Sequence, residues 1–436
     1  MLKSILLSIV VVSTSCLLAD TAYVGNATSN SVAILDTASN QVIGLVNDPL
    51  STFNEPYFIV ITPDGSTAYV TNINTNTISI VDLATNTVTG LVADPGNTLQ
   101  NVFSMTVTPD GKKVYALNNS NNTVSIIDVA TNTVTGLVNS AIHAFDNISF
   151  MAITPDGSTA YVPNPGSNTV NIIDVATNTV TGFISSPAFD GPTALVMTPD
   201  GSKIYVANYT LPGAITIIDV ATNTVQGSVS DPDMTLEFTD NMVTTPDGKT
   251  LYANNNIIHN TISVVDLATN TVTNLITSPS FDIVFYMGIT SDGKTIYAVN
   301  ATHNIISIVD LLTNTATGLV QDQQHLLHRP FPIAFVVYAA NVENLRGYQT
   351  RNIFLTQTDI VNVIQWDAPS NGAAVASYAI YRDAGLTDLA GTVPAAGMLQ
   401  FLDHNRQNNI SYTYYVVCVS PLGVRSQSRS VEIAAI

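Results

Sequence analysis

The sequence predicts an all-β chain: a seven-bladed β-propeller whose first blade joins three N-terminal strands to one C-terminal strand, followed by a small β-sandwich. Three observations predict it. A unit of about 45 residues recurs along the first three quarters of the chain. Asn, Thr, Val, Ile and Ser dominate its composition. Past residue 344 both the repeat and the charge imbalance stop.

The 436 residues are 46% hydrophobic and only 10% charged, enough for two or three domains with real cores. β-branched residues are stiff at χ1 and fit a pleated surface, so the mix favours strands over helices. Residues 20–343 carry six Lys/Arg against 26 Asp/Glu, a net of −20, whereas residues 344–436 are neutral. A surface of that sign repels phosphate backbones and anionic lipid, which excludes nucleic-acid binding.

Each repeat is legible as four short strands. Thr-Pro-Asp-Gly begins at Thr62, Thr108, Thr154, Thr198 and Thr245, and Thr-Ser-Asp-Gly at Thr290, at spacings of 44 to 47 residues. An apolar-Asp element sets Asp36, Asp82, Asp128, Asp174, Asp219, Asp266 and Asp310 in register. A Tyr with Asn three residues later occurs in seven copies, from Tyr23/Asn26 to Tyr297/Asn300. In one unit, Tyr57–Ile61 runs into the turn Pro63-Asp64-Gly65, followed by strands at 68–71, 77–81 and 87–92. No helical 3.6-residue apolar period competes with this pattern. The first copy lacks its first strand, and Pro330 to Val337 reads as a first strand with no turn after it. Joining the two closes the ring and removes an open sheet edge. The Asp series and the turn acids Asp64, Asp110, Asp156, Asp200, Asp247 and Asp292 are expected to satisfy turn amides.

Tyr69-Val70-Thr71-Asn72, with its near copies at Tyr23, Tyr161 and Tyr205, resembles the signature of the YVTN family of β-propeller repeats over about residues 21–338. The resemblance implies the fold, and a cell-surface or envelope setting without a defined biochemistry. The C-terminal segment resembles a fibronectin type III module, an immunoglobulin-like sandwich: Trp366 matches its core tryptophan, Tyr378 and Tyr381 its third strand, Tyr412 its tyrosine corner, and Gly423 a turn. Alternation puts Tyr412, Tyr414, Val416 and Cys418 on one face, so Cys418 is expected to be a buried small apolar residue. The domains are then 1–19 signal peptide, 20–340 propeller and 341–436 sandwich.

Lys3, the apolar run Ile5–Val12 and the small residues after it read as a secretory signal, which places the protein outside the cytoplasm, in the periplasm or at the cell surface. Cleavage after Ala19 and lipidation at Cys16 both stay open. No later segment is long and apolar enough to span a membrane.

Aligned on the repeat, the segments entering the innermost strands show one large apolar position: Phe53, Leu99, Phe145, Phe189, Leu236, Phe281 and Leu327. The next position is polar: Asn54, Gln100, Asp146, Asp190, Glu237, Asp282 and His328. Seven-fold symmetry makes these a collar around the funnel, with Glu55, Asp240 and Arg329 nearby in sequence. Asp146, Asp190, Glu237 and Asp282 are candidate ligands for a cation such as Ca2+, since hard cations take several oxygens; the alternative is that each side chain caps its own loop.

No His-Glu-x-x-His or Gly-x-Ser-x-Gly sequence is present, and His325 and His328 lie in a loop without a third ligand. The expectation is a monomeric, non-enzymatic, exported binding or adhesion protein with an unidentified protein or glycan partner. The alternatives are a metal-dependent lyase or hydrolase with its site in the funnel, and a purely structural envelope protein.

Overall fold

The computed structural model describes residues 21–256 and 260–336, and, in the C-terminal part, 343–353, 358–368, 375, 377–383, 385–395, 398–404, 406–407, 410–419 and 429–433. The signal segment, Cys16, Val337, the 340/341 boundary and Gly423 lie outside these residues. The chain divides into two compact units, Asp20–Val337 and a C-terminal unit running from Tyr338 to Ile436.

The first unit holds seven four-stranded antiparallel sheets. The second sheet is typical: Pro56–Ile61, Thr67–Asn72, Thr77–Asp82 and Thr87–Leu91, within a residue of the strands read from the sequence. In the first sheet the innermost strand is Pro330–Val336, paired antiparallel with Thr21–Asn26 from Thr21↔Val336 to Asn26↔Pro330. Asparagine has a backbone reason to be abundant here. The turns between strands place it in the left-handed region, as at Asn86, Asn132 and Asn178, with φ of 51°, 51° and 53°, where its short polar side chain lowers the cost. The turn acids work as expected. Asp82 accepts the Thr85 amide and hydroxyl, both at 2.8 Å, and those bonds hold its carboxyl below the ordinary range.

Sheets pack face to face through apolar clusters. Tyr115, Leu117, Val124 and Ile126 of the third sheet meet Ala160, Val162, Ile173 and Val180 of the fourth. Ala22, Val24, Ala33 and Leu35 of the first meet Tyr297, Val299 and Ile306 of the seventh. Each buried Val or Leu contributes about 1.5–3 kcal/mol of transfer free energy.

The repeat tyrosine adds a polar clasp. Tyr69 Oη donates to Asn132 Oδ1 of the next sheet at 2.5 Å and Tyr205 Oη to Asn270 Oδ1 at 2.6 Å. The same bond joins every consecutive pair of sheets, and Tyr297 Oη returns to Asn40 Oδ1 of the first sheet at 2.5 Å. The carbonyl of that same turn asparagine accepts an amide from the preceding sheet, as Asn47 N to Asn86 O at 2.8 Å.

Among the described residues the C-terminal unit has two sheets, one of Glu343–Ile353, Thr358–Asp367 and Gln400–Asp403, the other of Leu389–Pro394, Ser377–Tyr381, Tyr412–Val419 and Arg429–Ile433. Ile364 and Trp366 of the first share one core with Tyr378, Ile380, Tyr414 and Val416 of the second. Cys418 is buried in it, as its strand position demanded.

Replacing Tyr205 with Phe leaves Asn270 Oδ1 without its donor. The expected cost is about 1–2 kcal/mol in urea unfolding at an unchanged m-value. A stability equal to that of the unaltered chain would remove the clasp from the forces that join the sheets.

Candidate functional site

Outside the sixth sheet the collar residues share one backbone hydrogen bond, so their backbones carry a structural duty. The repeat asparagine reaches up and accepts the collar amide: Asn54 N to Asn72 Oδ1 at 3.1 Å, Gln100 N to Asn118 Oδ1 at 3.0 Å, Asp146 N to Asn164 Oδ1 at 3.3 Å. Asp190, Asp282 and His328 repeat the bond at 3.0, 3.2 and 3.1 Å. The large apolar residue before each collar position is buried in all seven sheets and anchors the loop.

The sixth sheet departs from this pattern. There Asn254 Oδ1 accepts the amides of Asp240 and Asn241, at 3.2 and 2.9 Å. Glu237 is 1% exposed, turned into the protein, and its neighbours Leu236 and Phe238 bond the 210–213 loop.

The expected Ca2+ site is not assembled. Asp146, Asp190, Glu237 and Asp282 belong to four different sheets, and among the described residues no three His, Cys, Asp or Glu come together to hold a metal. Asp282 Oδ2 instead lies 3.0 Å from His303 Nδ1, and Asp146 lies over Gly166, where a Cβ would come within 2.2 Å of Asp146 Oδ2. Loop capping is also assigned differently. Asp48, Asp94, Asp231 and Asp322 accept the loop amides, for example Phe53 N to Asp48 Oδ2 at 2.9 Å and Leu99 N to Asp94 Oδ2 at 2.9 Å. His325 and His328 are exposed.

Three residues after each collar position lies a second ring: Tyr57, Phe103, Ser149, Thr193, Asp240, Phe285 and Phe331. A β-bulge puts most of them there. Val102 pairs with Asn118 and Ser104 with Leu117, so Phe103 has no partner across the ladder. Register shifts fall at the same place for Tyr57, Thr193, Phe285 and Phe331. A bulged residue is re-aimed away from the sheet face, and all seven are half-buried.

This throat is chemically one-sided. Phe285, Phe331, Tyr57 and Phe103 form a continuous aromatic arc across the seventh, first, second and third sheets, with centroids 5.0, 4.5 and 4.8 Å apart. Ser149, Thr193 and Asp240 supply the other side. Asp240 Oδ1 accepts Asn254 Nδ2 at 2.6 Å and Asn256 Nδ2 at 2.9 Å. Burial nevertheless pushes its carboxyl up to about 6, against those two bonds. Tyr57 feels the same field: burial first, then the charge of Asp240, raises its hydroxyl pKa, with Arg329 opposing and Glu55 adding to the rise. Below the throat is a cavity of ≈ 420 Å³ to which all seven sheets contribute, lined by Phe58, Met105, Met151, Leu195, Met242, Tyr286 and Ile333 among others. Its size suits a small molecule.

Sequence alignment did not single out the throat. The signal was present: the residue five before each of the six turn threonines is aromatic in three blades and polar in three, and Phe331 holds the equivalent place in the first blade, which has no turn threonine.

No known family model matches the sequence, and neither does any curated protein. Solved structures are similar in fold. A protein from Bacteroides uniformis described as a candidate 6-phosphogluconolactonase is 17% identical with a TM-score of 0.59, over 73% of this chain and 100% of that one. The periplasmic gluconolactonase of Pseudomonas aeruginosa is 16% identical with a TM-score of 0.56, over 73% and 99%. The dihydro-heme d1 dehydrogenase NirN is 14% identical with a TM-score of 0.53, over 74% and 77%. These likenesses overturn the expectation that the chain is not an enzyme. Proteins described as lactonases share its fold, so missing catalytic motifs do not argue against activity. Among the described residues no helix is long and apolar enough to cross a membrane. What the likenesses establish is the architecture of the first unit, a β-propeller of four-stranded sheets.

Proposed function

We propose that the chain is an exported ligand-binding protein that admits a small molecule, or the end of a protein or glycan chain, to a central funnel. The observation that carries this reading is the one-sided throat. Seven-fold packing needs the Asp series from Asp36 to Asp310 and the Tyr-Asn clasp in every blade, and it supplies no reason for four aromatic rings to face Ser149, Thr193 and Asp240. Binding sites combine an apolar wall with a few placed polar groups, as here.

The reading takes the seven sheets as a closed ring of YVTN-type repeats. It is supported by the pairing of Pro330–Val336 with Thr21–Asn26 and by the packing of that strand on both the second and the seventh sheets. It takes the C-terminal unit as a fibronectin type III-like spacer or second contact surface. Support comes from Trp366 against Tyr378 at 5.2 Å and from Tyr412 Oη, which accepts the Gln407 amide at 2.9 Å. Export is supported by residues 1–19 and by the periplasmic setting of one similar structure.

Thermal-shift screening of the full chain against a panel of neutral sugars, sugar lactones and amines is expected to give hits. Those hits are expected to vanish in Tyr57→Ala and Phe331→Ala but persist in Leu312→Ala, an exposed turn residue outside the throat. Hits indifferent to Tyr57 and Phe331 would move the site elsewhere on the protein.

Asp240 favours a second reading, hydrolysis of a lactone in the same funnel. A general base works best when its pKa lies near the operating pH, and burial sets this carboxyl at about 6. A base must be deprotonated to act, so a rate above the spontaneous hydrolysis of glucono-δ-lactone should rise as pH passes upward through about 6. Asp240→Asn should lower it by about 10²-fold. A carbon-13 titration that places the Asp240 carboxyl at the ordinary aspartate value would sink this second reading.

A further inference from the structure

We infer that the throat is built for an organic ammonium ion, with its cationic nitrogen held by Asp240 and its apolar body laid along Phe285, Phe331, Tyr57 and Phe103. This rests on the funnel-binding reading and adds the charge class of the ligand.

The first argument is the state of the carboxylate. Both amide donors reach Asp240 through Oδ1. Among the described residues no Lys, Arg or His forms an ion pair with it. Arg329, the basic residue of this region, is drawn instead to Glu55 Oε1 at 3.8 Å and lies 5.5 Å from the Phe331 ring centroid. A carboxylate withdrawn from water without a counter-charge is unfavourable, and a bound cation relieves that cost.

The second argument is the opposite wall. Four contiguous aromatic rings offer an apolar surface of the kind on which the hydrocarbon part of an amine rests, and their π-systems tolerate nearby positive charge. The third is a pair of hydroxyls. Ser104 Oγ, on a residue 1% exposed, and Thr193 Oγ1 have no hydrogen-bond partner. Ser104 follows Phe103 in the chain and lines the cavity below the throat. Buried polar atoms are normally satisfied, and of these two Ser104 is the one that borders the cavity a ligand would enter.

The fourth argument decides between charge types. Phosphate recognition uses several Arg or Lys donors or a nest of amides, whereas the rim above this throat carries Asp146, Asp190 and Asp282. The whole propeller segment is acidic, which raises the local concentration of cations and lowers that of anions. An anionic or phosphorylated ligand is disfavoured, and a cationic one is drawn in.

Three probes of one shape and different charge test this on the full chain by calorimetry at pH 7.5: benzylammonium, benzyl alcohol and benzoate. Benzylammonium is expected to saturate one site and to bind at least about tenfold more tightly than benzyl alcohol, a difference of about 1.4 kcal/mol; benzoate should give no binding heat. Asp240→Asn should erase the ammonium advantage, bringing benzylammonium to the affinity of benzyl alcohol in the same variant. Phe103→Ala should weaken both benzyl probes, with a melting temperature measured on each variant to confirm folding. Equal affinity for benzylammonium and benzyl alcohol overturns the inference, as does full benzylammonium affinity in a folded Asp240→Asn. If sugars or lactones from the screen bind through Tyr57 but benzylammonium does not compete with them, the charge class is wrong and the funnel reading stands. If neither the screen nor the three probes reach the throat residues, both fail.

Discussion

The structure of the first unit depends on how one sheet is joined to the next, because a four-stranded sheet of 20 or so residues cannot bury its faces alone. Apolar packing supplies the bulk of the attraction but no register. Register comes from the tyrosine clasp and from the amide bond to the turn that follows it. Tyr69, held in its own sheet, aims its hydroxyl at Asn132, and the carbonyl of that same asparagine takes the amide of Ala93. One left-handed asparagine therefore receives two donors from the neighbouring sheet. Its φ of 51° turns the side chain and the carbonyl toward that neighbour, and alanine at this position would lose the side-chain acceptor and resist the conformation.

A second asparagine, at the end of the second strand of each blade, fixes the loop that enters the funnel. Asn118 Nδ2 donates to Ser125 Oγ at 2.9 Å inside its own sheet, and its Oδ1 takes the amide of Gln100. The side chain ties the funnel-facing loop to the rigid centre of the blade. That explains why collar side chains are free to vary from Asn to Asp to His while their backbones hold one path. In the sixth blade Asn254 takes over this role and binds the amides of Asp240 and Asn241, and its Nδ2 reaches the Asp240 carboxylate. The exception in the loop scaffold is also what positions the half-buried Asp240.

These facts set how much was legible beforehand. The blade strands could be read because each is bounded by turn chemistry with a local cause: Pro63-Asp64-Gly65 needs a positive φ at Gly65, 69° in the structure, and Asp82 caps a Thr-Asn turn. Local causes repeat, so they show in a sequence. The collar was readable for the same reason. The throat was not, because the bulges that aim Tyr57, Phe103, Thr193 and Phe285 inward interrupt strand alternation. Alternation alone places Phe103 on a sheet face beside Met105, where it would count as core. The cation site was misjudged for a geometric reason: symmetry that aligns four acids in sequence separates them in space. Glu237 was assigned to the rim because its blade was assumed regular, and the irregular one is the blade where it sits.

Departure from symmetry is the useful criterion in a repeat fold. Whatever the packing of successive sheets needs must recur in every blade, and the clasp, the Asp series from Asp36 to Asp310 and the buried apolar anchor at Phe53, Leu99 and their equivalents do so. Whatever recognises an asymmetric ligand cannot recur, since seven identical contacts around an axis would offer it seven equivalent poses. The throat meets that requirement with a small change, one side chain per blade, placed by a bulge at Tyr57, Phe103, Thr193, Phe285 and Phe331 and ahead of the first strand at Ser149 and Asp240. Aromatic residues fill adjacent blades rather than alternate ones, which concentrates the apolar surface into a single wall and leaves the remaining gap for small hydroxyls and one acid. A ligand entering along the axis then meets a direction, and the scaffold that holds it need not alter.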